Sequence, residues 1–104
     1  MKIDVLYFEG CPNHKPVVAL AEQVVAELRL DADVEQVAVG PDDAERLRFL
    51  GSPTVHVNGV DVEPIARSRN DFGFTCRIYN GNGMPDREII IQACLDAAPD
   101  DNHD

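Results

Sequence analysis

The chain has 104 residues, 44% of them hydrophobic, and a formal net charge of −10 from nineteen acidic and nine basic side chains. That length suits one compact domain with one core. Charge of this sign repels a phosphate backbone, which argues against nucleic-acid binding; the absence of any run of about 18 apolar residues argues against a membrane-spanning helix.

Asp4 and Glu9 interrupt the first apolar stretch, so it does not read as a signal peptide, and a cytoplasmic protein is expected. Residues 2–8, KIDVLYF, are β-branched, aromatic and largely apolar, as in a buried central strand. Over 14–30, Val17, Leu20, Ala21, Val24, Val25 and Leu28 recur at helical spacing. Residues 33–39, DVEQVAV, alternate as in a second strand, and such a strand–helix–strand unit favours parallel pairing. GPDDAERLRFLG, 40–51, predicts a second helix opened by Pro41 and the acidic pair and ended by Gly51. PTVHVNGVDVEP then predicts a hairpin turning at Asn58-Gly59. Residues 63–83 read as a loop with one short strand near 75–79, and Pro85 opens a last helix to about residue 98. The order implies an α/β fold: a four- or five-stranded mixed sheet with helices on both faces, as a single domain over 1–98 followed by an acidic tail, 99–104.

Cysteines stand at 11, 76 and 94. An odd count in a small cytoplasmic chain argues against a disulfide scaffold. It leaves buried apolar residues, a redox site or a soft-metal site. Cys11, in YFEGCPNHKP, falls where a strand ends and a helix begins. A helix N-terminus offers partial positive charge and free N–H groups, which favour a thiolate. Pro16 fits the first turn if Asn13 caps the helix or if that turn is kinked, and either leaves Cys11 near the helix N-terminus. His14, three residues on, reads as a proton donor, a metal ligand with Cys11, or a solvated first-turn residue. Cys76 reads as a resolving thiol for Cys11, a second soft-metal ligand, or a strand residue facing the core. Cys94 shares a helical face with Ile90, Ile91 and Ala97 and reads as structural. His56 alternates with Val55 and Val57 and is expected to be exposed. NGNG, 80–83, lacks the spacing of a phosphate cradle, no zinc-ligand spacing is present, and no cofactor is expected.

A first strand, CPNH opening a long helix, SPTV before a hairpin, and a last helix resemble the thioredoxin fold. With FEGCPN, RFLGSPTV and DFGFTCR, the chain is similar to a group of small bacterial thioredoxin-like proteins, some of them selenoproteins and some named alkylmercury-lyase-like. The resemblance implies that Cys11 is a nucleophile, with Pro12 beside it, that Pro53 is a cis-proline followed by Thr54, and that the main chain of Ser52 pairs with an extended substrate. His14 stands where the family's second motif cysteine would be.

The expected function is therefore thiol-based redox chemistry on a disulfide, peroxide or related thiol substrate, protein or small molecule. The alternatives are a thiolate site on Cys11 and Cys76 for a thiophilic metal or organomercurial, and a non-catalytic interaction domain. Either a monomer or a homodimer fits the sequence.

Overall fold

The computed structural model describes residues 1–77, 79, 81 and 83–97. The elements are β1 (Lys2–Tyr7), α1 (His14–Glu27), β2 (Asp33–Ala38), β3 (Thr54–Val57), β4 (Val60–Asp61) and α2 (Arg87–Ala97), with a single 3-10 turn at Pro64–Ala66 between β4 and α2. They form a small α/β structure around one four-stranded mixed sheet, ordered β2-β1-β3-β4. β1 and β2 run parallel, as the crossover through α1 requires, and β3 lies antiparallel to both β1 and β4. Asn58 and Gly59 both adopt positive φ, 51° and 84°, the signature of the tight turn that the Asn-Gly pair predicts.

The two faces of the sheet are covered differently. Ile3, Val5, Val55 and Val57 meet Val17, Ala21 and Val24 of α1 and Ile90, Ala93 and Cys94 of α2 in the main core. Both helices therefore lie on one face, and Cys94 is a fully buried part of that core. The opposite face is covered by irregular chain, contrary to the expectation of helices on both faces. Residues 41–47 make turns and no α-helix, with mixed bonds from Leu47 N–H to Asp43 O (2.9 Å) and Phe49 N–H to Ala44 O (2.8 Å). Ten residues are too few to hold a helix by propensity alone. This segment is set by the need to insert Phe49, which is fully buried against Leu6 and Val39. Arg48 turns the chain at φ 56°, so Gly51 does not end a helix.

Gly51 serves another purpose. Its φ is 120°, and a Cβ there would lie 2.7 Å from Thr75 Oγ1, 2.8 Å from Thr75 O and 2.9 Å from Arg77 Cγ. The residue is a glycine because a second piece of chain runs directly against it. Among the described residues of 75–79, where a short strand is expected, there is one parallel bridge, Ser52 to Cys76; residue 78 lies outside the described residues, as does the expected tail. Among the described residues no helix is long and apolar enough to cross a membrane.

Candidate functional site

β1 and β3 are antiparallel with Leu6 opposite Thr54. The chain leaving β1 and the chain entering β3 therefore meet at one end of the sheet. Cys11 lies on the first of these connections and Ser52–Pro53 on the second.

A turn closes the first connection, with Cys11 N–H donating to Phe8 O (3.2 Å). Asn13 then occupies the position before α1, and His14 is the first helical residue. This places Pro16 in the first turn, where its missing N–H has no helical acceptor to lose. His14 is half-buried and held twice. Its ring stacks on Tyr7 with centroids 3.8 Å apart and planes 4° apart, and its Nδ1 lies 3.3 Å from Cys11 O. A carbonyl only accepts, so this contact puts the proton on Nδ1 and leaves Nε2 as the acceptor of the neutral ring. Cys11 itself is buried, 7% exposed.

On the second connection, the Ser52–Pro53 peptide bond is cis. Thr54 Oγ1 donates to Gly51 O (2.5 Å). Ser52 is 1% exposed, and its Oγ has no hydrogen-bond partner among the described residues. The Ser52 main chain is fully engaged: its N–H donates to Thr75 O (2.7 Å), and its carbonyl accepts from Arg77 N–H (3.0 Å). The edge expected to receive an extended substrate is thus held by the chain's own residues 75–77.

That strap carries Cys76, which is exposed and unbridged, so it is no core residue. It opens on a groove of about 430 Å³ shared with Glu63, Arg69 and Tyr79. The strap is anchored by Arg77, 6% exposed. Arg77 donates through Nη1 to Asp61 Oδ2 (2.7 Å) and Thr54 Oγ1 (3.3 Å), and through Nη2 to Asp61 Oδ1 (3.3 Å) and Glu63 Oε1 (2.8 Å). Its guanidinium lies 4.3 Å from the Tyr79 ring centre, and the Tyr79 hydroxyl donates to Pro53 O (2.6 Å). Burial pushes the Tyr79 phenol well above its ordinary range, against the opposing pull of Arg77.

Arg77, Asp61 and Tyr79 were not anticipated as site residues. The DVE of the hairpin and the basic residue in TCR were the only signals. Two separated charges reveal nothing until the fold brings them together in a buried site.

His56 departs from expectation. It is 7% exposed, because the irregular cover lies over its face of the sheet. It stands opposite Asp4 on β1 and Asp61 on β4, and burial holds its imidazole below the ordinary histidine range. Burial likewise raises the Asp4 carboxyl, against the pull of Lys2 Nζ 3.9 Å from its Oδ1, which has no hydrogen-bond partner among the described residues.

The structure thus brings Cys11, Pro12 and His14 to the same sheet end as Ser52, Pro53, Thr54 and Cys76, and it buries Cys94 elsewhere. Among the described residues there is no group of three or more metal-type side chains. Compared with family models, curated proteins and solved structures, the chain has no significant match.

Proposed function

We propose that the chain is a thiol-based redox protein of thioredoxin-like fold, with Cys11 as the attacking thiol and Cys76 as the resolving one. The observation that carries this reading is the Ser52–Cys76 bridge, which tethers an exposed second thiol to a connection at the same sheet end as that of Cys11. Strand order, a cysteine just ahead of α1, and the cis Ser52–Pro53 bond agree with the thioredoxin resemblance.

In the forward direction the Cys11 thiolate attacks one sulfur of a substrate disulfide. A mixed disulfide forms and the other substrate sulfur leaves as a thiolate, taking up a proton. The Cys76 thiolate then attacks Cys11 Sγ, releasing the second substrate thiolate and leaving a Cys11–Cys76 disulfide. The substrate gains two electrons and the cysteine pair loses them. His14, whose Nδ1 already lies 3.3 Å from Cys11 O, is the proposed acceptor of the Cys11 proton. Because the strap already fills the Ser52 main chain, an extended peptide can dock there only by displacing residues 75–77. A small disulfide needs no such displacement.

The test is a non-reducing peptide map of the reduced protein after limited oxidation by a small disulfide. The expected product is a Cys11–Cys76 peptide, which requires the two Cα atoms to come within about 7 Å. Cys76→Ser should instead trap the substrate thiol on Cys11. Cys11 recovered unmodified while Cys76 alone reacts would end the redox reading. The same two thiols can alternatively clamp a two-coordinate thiophilic ion. A mercurial titration with one tight site that needs both cysteines, and no disulfide in the map, would select that alternative.

A further inference from the structure

Positive charge in this acidic chain gathers beside, and partly shared with, the groove of Cys76, since Arg69 lines both. A cavity of about 180 Å³ opens on the irregularly covered face of the sheet, with Arg48, Arg67, Arg69, His56, Asp61 and Phe72 in its walls. Three of the nine basic residues of a chain with net charge −10 line this single concavity, against one acidic residue in its lining. Such a cleft focuses the field of its own charges.

The acid in the wall does not cancel them, because the Asp61 carboxylate is held by both terminal nitrogens of Arg77. The arginines retain donors. Arg67 spends only Nε, on Asp61 O (2.7 Å). Arg69 uses Nε and Nη2 on the exposed Asp71, leaving Nη1. Arg48 lies over the Phe72 ring at 5.3 Å, and no hydrogen bond or ion pair engages its guanidinium among the described residues. His56 adds a polar ring to the same wall: it lines the cavity, is 7% exposed, and makes no ring hydrogen bond among the described residues.

We infer that this cavity is a binding site for a small oxyanion, a carboxylate or phosphate group, held by Arg48, Arg67 and Arg69 with His56 at its floor. Guanidinium forks match the paired oxygens of such groups. The inference stands apart from the thiol reading and does not depend on it.

Bound anion must favour the imidazolium form of His56. The other charges that face that ring are Asp4 from β1, Asp61 from β4, and Arg77 and Arg48 from the covering segments. The test is a titration with inorganic phosphate, and in parallel with malonate, in chloride buffer at constant ionic strength, followed by calorimetry and by the ring resonances of His56. Saturable binding by either anion, with an upward move of the His56 titration, is expected, and the anion that saturates identifies the class. The variant Arg48→Gln/Arg69→Gln, which removes two exposed side chains, should bind at least about tenfold more weakly with an unchanged thermal midpoint. Equal binding by both proteins, or a response that never saturates and tracks salt alone, would overturn the site.

Discussion

Arg77 is the residue whose removal should change the molecule most. Its guanidinium makes four hydrogen bonds, to Asp61 (2.7 and 3.3 Å), Glu63 (2.8 Å) and Thr54 (3.3 Å). In Arg77→Met the aliphatic stem is kept and the charge is lost. Asp61, 6% exposed, is then left as a buried carboxylate whose remaining described partner is the Glu63 N–H at 2.9 Å. Removing one partner of a buried pair costs about 3–5 kcal/mol. With an unfolding entropy near 2.1 cal/mol/K per residue, a chain of 104 residues loses about 14–23 °C of thermal midpoint. The assay is urea unfolding, comparing midpoints at equal slope, together with the double variant Arg77→Met/Asp61→Leu. The buried pair is held together against a large desolvation cost, so removing both charges should recover most of the loss, with a coupling of at least about 2 kcal/mol. A single variant within about 1 kcal/mol of the parent, or a double variant whose cost is the sum of its singles, would refute this account of the network.

Gly51→Ala should cost about 2–4 kcal/mol, from positive φ together with contacts under 3 Å to Thr75 and Arg77. It should also speed alkylation of Cys76 by lifting the strap; an unchanged alkylation rate would separate the strap from Gly51. Stability should fall as pH drops below the ordinary histidine value of 6.5, because burial lowers the folded His56 value and the unfolded chain binds that proton first. His56→Gln should flatten this part of the urea-midpoint profile, and a parallel profile would contradict the assignment. At the alkaline end, the raised Tyr79 phenol means that stability is lost as pH rises past the unfolded value of 10. An absorbance titration should find Tyr79 ionising above that value, whereas a normal ionisation in the native state would contradict its burial.

The sheet was legible because its signals are local. The apolar run of β1, the helical spacing of α1 and the Asn58-Gly59 turn each point to one conformation, and the two described helices carry the apolar positions that the spacing predicts. The segment 41–50 misled because a proline, an acidic pair and a closing glycine are helix punctuation only when a helix has room to form. Here one buried phenylalanine decided the path. His56 misled for a related reason: alternation along a strand tells which residues share a face, and it is silent on whether irregular chain will cover the other one. Cys11, Ser52, Pro53 and Cys76 could be singled out by residue type and by resemblance. Their grouping at one sheet end needed the antiparallel register of β1 and β3, and the buried Arg77 network needed two segments fourteen or more residues apart.

The arginine that anchors the strap also fixes the two ends of the chain leading to it, whatever that chain contains. Asp61 and Glu63 stand at one end of the intervening stretch and Arg77 at the other, so the closure of that stretch is guaranteed by side chains outside it. For a flexible loop, doubling the length adds only about 0.6 kcal/mol of closure entropy. Much of 64–74 is exposed, including Ile65 at 78%. This is where the architecture can absorb inserted sequence while the two thiol-bearing connections stay in register, and a descendant of this chain could acquire a new surface there at small thermodynamic cost.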